Sequence, residues 1–184
     1  MFDLSTRDLS YSALFAALIS ILSYVSIPLP FSPVPITGQS LAVILAGIVL
    51  TTQQAGLSLL IFLLLGSVGV PVFASGKAGI GVLAGPTGGY LIGYLLGAIT
   101  ISLLIDHFLK DKDNYLLVFI YSFIGGVIVV HLPGVFWLSH VSEISVTKAF
   151  MVGSLPFVPG DIFKLIIANL LGHRLKKHIN LKSN

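Results

Sequence analysis

Long uninterrupted apolar runs, rather than alternating apolar and polar positions, organise this chain. The first runs from about Leu9 to Ile27 and stops at Pro28-Leu-Pro30. A proline-punctuated connector, Phe31 to Gly38, follows it. The next stretch, Gln39 to Leu65, is interrupted by the polar tetrad Thr51-Thr-Gln-Gln54. Each of its two pieces is short for an independent span of a roughly 30 Å hydrocarbon core, so a re-entrant pair competes with two crossings. A glycine-rich stretch from Gly66 to Gly89 comes next, and then three further runs: Tyr90 to His107, Tyr115 to Leu132, and Pro159 to Arg174. The pattern predicts helices over residues 9–27, 39–50, 54–65, 88–107, 115–132 and 159–176. It makes residues 1–184 one all-α integral membrane domain, a bundle of six transmembrane helices.

Composition supports that class. Hydrophobic residues make up 55% of the chain and charged residues 9%, with a mean hydropathy of +1.02. A soluble domain carries about 25% charge. There is no cysteine, which excludes disulfides, thiolate catalysis and Cys-ligated metals. No basic stripe or binding motif points to nucleic acid. Arg7 followed by an apolar run imitates a signal peptide, but no Ala-x-Ala-like cleavage site follows, so this is read as a retained first helix. Under six spans, Arg7, Lys110, Lys112, Arg174, Lys176, Lys177 and Lys182 fall on one side, and Lys77 and Lys148 on the other. The positive-inside rule then puts both termini in the cytoplasm. The proline-rich connector, the glycine-rich stretch and a Gly134–Ser154 loop all face outward, above the start of the last helix.

That start carries the chemistry. Pro159-Gly-Asp161-Ile-Phe-Lys164 places opposite charges three residues apart on one helix face. An ionisable group inside a bilayer costs about 2.5–3.5 kcal/mol on insertion scales and is functional by default. Pro suits the first helical turn, and the dipole there favours the Asp161 carboxylate. Asp accepts hydrogen bonds and Lys donates them, so the pair suits a ligand that offers both N–H and C=O. The plainer alternative is an ion pair that fixes helix packing. Gly66–Gly89 reads as a lid or wall, with Gly76 allowing close backbone approach and Lys77 supplying a cation; the alternative is a loop packed on helix ends. It is not a phosphate-binding Walker loop, because Lys77 is followed by Ala78. Gln39 and Tyr90 offer polar atoms at the outer ends of their helices. Ala13 and Ala17 give the first helix a small-residue face, for a partner subunit or for packing within the bundle. The same spacing in Gly89, Gly93 and Gly97 weakens that signal. His131 closes the fifth predicted helix and His140 falls in the outer loop. No histidines stand at metal-ligand spacing, so no metal and no catalytic constellation are assigned.

Four segments then carry a resemblance: Pro35-Ile-Thr-Gly-Gln39, Gly69-Val-Pro-Val-Phe73, Gly85-Pro-Thr-Gly-Gly-Tyr90 and Pro159-Gly-Asp-Ile-Phe-Lys164. In this order, over about Tyr11 to Arg174, the chain resembles the BioY family of biotin transporters, the substrate-binding S components of energy-coupling-factor transporters. The resemblance implies a six-helix S-component bundle in a prokaryotic cell membrane, an outward-facing biotin pocket, and no enzymatic activity or cofactor. It implies as partners a transmembrane T component and two cytoplasmic ATPases, with Ala13 and Ala17 as the docking face. Asp161 would accept from a ureido N–H of biotin and Lys164 would donate to its carbonyl. Gln39, Tyr90 and Gly76 would line the pocket and Lys77 would meet the carboxylate; a reversed pose puts Lys164 on the carboxylate. A proton-coupled secondary transporter and an S component for another vitamin are the competing readings.

Overall fold

The computed structural model describes residues 5–109 and 114–178, the last two for their backbone only. Lys110, Lys112, Lys182 and the Lys177 side chain, which enter the charge count above, lie outside the described residues.

Helix α1 spans Thr6–Ser23 and opens on a capping box, in which Ser5 and Asp8 each satisfy the other's backbone N–H. It ends earlier than the apolar run predicts, because Ser26–Leu29 becomes strand β1 and pairs antiparallel with β2, Ser32–Thr37. The expected connector is therefore a hairpin. Pro28, Pro33 and Pro35 fit there because both strands of a two-stranded ribbon are edges, where a missing N–H breaks no ladder.

The polar tetrad does separate two helices, α2 (Gln39–Val49) and α3 (Thr52–Ser67). Thr51 caps α3 in a second capping box with Gln54. Gln54 also donates to Asp8 at 2.6 Å, and the Thr52 hydroxyl donates to Asp106 at 3.0 Å. The break thus pins together the start of α1, the start of α3 and the end of α5 (Gly88–Phe108). Between α3 and α5 the glycine-rich chain makes a 3₁₀ turn at Ala74–Gly76 and a short helix, α4 (Ile80–Ala84). Gly69 and Gly79 adopt φ of 105° and 92° there, which only glycine takes without strain.

The helix predicted to stop at 132 does not stop. α6 (Tyr115–Phe123) passes through a π-helical segment, Ile124–Val129, directly into α7 (Val130–Val141). Pro133 lies inside α7. Local π adjustment is one way a membrane helix accommodates a proline that removes a backbone donor. Gly134 is not a turn residue; a Cβ there would strike the Tyr90 ring. The expected Gly134–Ser154 loop is accordingly the end of α7, which includes His140, plus α8 (Val146–Gly153). Helix α9, Val158–His178, completes the described chain.

Among the described residues, two helical stretches are long and apolar enough to cross a bilayer, Gly88–Phe108 and Tyr115–Val141. The pair Val146–Gly153 and Val158–Lys176, bent by 52°, forms a broken third span or a re-entrant element. α2 and α3 are apolar but shorter. α2 is central: apart from Leu41 all its residues are buried, against α1, α3, α5 and α9. Ile19, Ile44, Ile48, Phe62, Ile101 and Leu165 fill the main core around it. A smaller cluster, including Val34, Tyr90, Leu138 and Phe157, joins the hairpin to α5, α7 and α8. Gly89, Gly93 and Gly97 let the α5 backbone approach Pro133, Val130 and Gly125 directly.

Candidate functional site

Asp161 sits in the first turns of α9, only 5% exposed, in a chain with few buried charges. Desolvating a carboxylate is tolerated when it is paired and hydrogen-bonded. Lys164 Nζ lies 3.2 Å from Asp161 Oδ1, as the i, i+3 spacing predicts. Its other partners come from distant segments. His131 Nε2, from α7, lies 3.0 Å from Oδ2. Ser40, from the first turn of α2, approaches Oδ1 at 3.4 Å and accepts from Lys164 at 2.8 Å. Three helices distant in sequence therefore converge on one carboxylate.

Two adjoining cavities open beside this cluster and share Val34, Pro35, Thr37, Tyr90 and Tyr94 as walls. One, of about 360 Å³, holds Asp161, Lys164, His131 and Ser40. The other, of about 430 Å³, holds Gln39, Lys77 and Thr87 among apolar residues such as Phe73 and Leu91. Gln39 is 2% exposed; its Oε1 faces the Thr37 hydroxyl at 3.4 Å, and its Nε2 has no protein partner. A buried amide donor left open costs about 1–3 kcal/mol and is satisfied if a ligand supplies an acceptor.

The remaining predicted residues divide. Tyr90 lines both cavities, but its hydroxyl donates to the Gly153 carbonyl at 2.7 Å, so the ring is what it offers a ligand. Lys77 lines the larger cavity. Gly76 lines neither; at φ 72° it faces the Tyr24 ring, whose hydroxyl donates to the Pro71 carbonyl at 2.6 Å. Its backbone freedom serves the tie between the glycine-rich segment and the end of α1. Ala13 and Ala17 lie on an exposed face of α1 with Leu14 and Ile21, away from both cavities. Ser40, Thr37, Tyr94 and His131 are the site residues that sequence reasoning missed. Only His131 carried a usable sign, as an ionisable residue inside an apolar run. Among the described residues no group of three acidic or histidine side chains could hold a metal.

Comparison with known proteins gives a consistent picture. The BioY family model matches residues 1–181. A biotin transporter BioY of Rhizobium etli is 41% identical over 174 residues, covering 92% of each chain. One of Thermotoga maritima is 40% identical over 171 residues, covering 93% of this chain and 96% of the relative. The crystal structure of an S-component for biotin from an ECF-type ABC transporter matches with a TM-score of 0.88 at 32% identity, covering 95% of each chain.

Proposed function

The chain belongs to the BioY family, and from that premise we propose that it is the biotin-binding S component of an energy-coupling-factor transporter. The observation that carries the reading is the pairing of two unlike cavities. One end presents an acceptor and a donor side by side, Asp161 and Lys164. The other presents donors, Lys77 and the open Gln39 amide, among apolar walls. Biotin has matching ends: a ureido ring with two N–H groups and a carbonyl, and an apolar chain that finishes in a carboxylate.

In this pose Asp161 accepts from a ureido N–H. The Lys164 ammonium has three N–H groups, and two are spent on Ser40 and Asp161. The third donates to the ureido oxygen. Tyr90 and Tyr94 flank the passage, and Lys77 with Gln39 receives the carboxylate. The reversed pose is disfavoured, because it would set the biotin carboxylate beside the Asp161 carboxylate in a low-dielectric site.

The chain carries no Walker loop and acts as a receptor rather than an enzyme. Uptake is energised by a T component and two ATPases; Ala13 and Ala17 form the docking face, and the subunit reorients bodily in the prokaryotic cell membrane with both termini cytoplasmic. Calorimetric titration of biotin and biotin amide tests the reading. Wild type binds biotin one-to-one, and Asp161→Asn abolishes binding. Lys77→Ala weakens biotin about tenfold or more, the worth of a charge-assisted hydrogen bond, and leaves biotin amide unaffected. Absence of biotin binding by wild type refutes the function. Equal binding of biotin and its amide by wild type refutes the carboxylate contact.

A further inference from the structure

We infer that His131 is a positioning residue for substrate recognition: it fixes the Asp161 carboxylate in the orientation from which that carboxylate reads a ligand N–H. The inference rests on the biotin-receptor reading for its ligand, but its geometry stands alone.

His131 reaches Asp161 from α7, across the cavity that both residues line. An ionised carboxylate only accepts, so Nε2 carries the proton that lies between them. The other ring nitrogen, Nδ1, is buried and has no hydrogen-bond partner. The ring therefore makes its one hydrogen bond to Asp161. That is a costly way to build a helix interface. An unpaired buried polar atom carries a penalty, and apolar residues of similar volume commonly pack as well or better in place of a whole buried ion pair. A residue kept for packing would not be a histidine with one nitrogen unsatisfied.

The surroundings hold the ring in place. Tyr90 meets it edge to face, with centroids 5.9 Å apart at 90°, and Tyr90 is itself fixed by its bond to Gly153. Lys164 and Ser40 approach Oδ1 while His131 approaches Oδ2. Lys164 shares a helix with Asp161 and moves with it. Ser40, at 3.4 Å, is a weak restraint. His131 is the close contact to the carboxylate from another helix, so it sets the carboxylate plane relative to the cavity. A free carboxylate rotor would present its lone pairs to a ligand only part of the time.

The test compares His131→Gln, whose side-chain amide can donate where Nε2 does, with His131→Leu, which cannot. Infrared spectroscopy of the ligand-free protein locates the Asp161 carboxylate band as the one lost in Asp161→Asn. The band shifts in His131→Leu and returns toward its wild-type position in His131→Gln. Biotin affinity falls on the order of ten- to a hundredfold in His131→Leu, and His131→Gln recovers most of it. The ligand-free melting temperature of His131→Leu falls, because the buried Asp161 carboxylate loses a donor, and His131→Gln, which keeps one, recovers it. Added to Asp161→Asn, His131→Leu shifts no carboxylate band. An unshifted band in His131→Leu overturns the inference, and so does unchanged biotin affinity, or a lowered melting temperature with no recovery by Gln. If wild type fails to bind biotin, the function proposed above fails, while the infrared comparison still decides the role of His131.

Discussion

Replacing Lys164 with Met tests whether the buried charges are as interdependent as the geometry requires. The Lys164 side chain is 16% exposed and that of Asp161 6%, so solvent replaces little of what is removed. Methionine keeps the length of the stem and deletes the ammonium that lies 3.2 Å from Oδ1. Breaking a buried pair by removing one partner costs about 3–5 kcal/mol, because the other charge stays behind. One feature pulls this case to the lower end: His131 still donates to Oδ2. We expect about 3 kcal/mol. At about 2–4 °C per kcal/mol for a domain of this size, the ligand-free melting temperature falls by about 6–12 °C. Asp161→Asn with Lys164→Met removes both charges and should recover about half of that loss, although it binds no biotin. Thermal unfolding of the three purified variants in detergent reads the comparison. A Lys164→Met protein that melts within about 2 °C of wild type would refute the reasoning. A double variant no more stable than Lys164→Met alone would do the same.

Two further outcomes follow from packing. Ala13→Leu with Ala17→Leu enlarges an exposed face that no described element covers, so biotin titration of the isolated subunit should be unchanged while uptake by the assembled transporter is lost; normal uptake removes the docking face. Gly93→Ala drives a Cβ to within 3 Å of the Val130 main chain, which cannot move aside, and should lower stability by about 1–3 kcal/mol, whereas Gly160→Ala meets nothing within 4 Å and should gain up to about 1 kcal/mol, both read as melting temperatures.

How far the sequence reveals this site depends on how local each contact is. Asp161 and Lys164 are legible because they share a helix turn, follow a proline, and stand out in an apolar chain. The start of α3 is legible too, since Thr51-x-x-Gln54 is a capping box as well as a polar break. His131 and Ser40 are not, because their meaning is a convergence of α2, α7 and α9, and no single segment records it. The misplaced end of the fifth predicted helix has a definite cause. Pro133-Gly134 reads as a terminator when proline and glycine are scored for backbone conformation alone. Here the π segment precedes the proline, and the glycine is needed because a tyrosine ring occupies the place of its side chain. The hairpin escaped notice for a related reason: prolines argue against a strand in a sheet's interior but not in a two-stranded ribbon.

The shortness of α2, which looks like a defect for a membrane helix, explains why a cavity exists at all. Eleven residues rise about 16 Å, while the 21 of α5 rise about 31 Å. The two helices finish together: Thr52, just past the end of α2, is bonded to Asp106 near the end of α5. Ile48 packs on Gly172 and Ser40 on Lys164, so α2 also runs parallel to α9 and starts level with its charged turn. α2 therefore begins about 15 Å short of the start of α5, and that missing length becomes the notch. The hairpin and the glycine-rich segment cover it, and Tyr90, Leu91 and Tyr94 line it from the unmatched part of α5. Extending α2 by a turn at its N-terminus would fill the notch and displace Gln39 and Ser40. The fold thus gains its cavity by giving up half a helix at the centre of its own core, and the residues at that cut end are polar because they face the cavity rather than lipid.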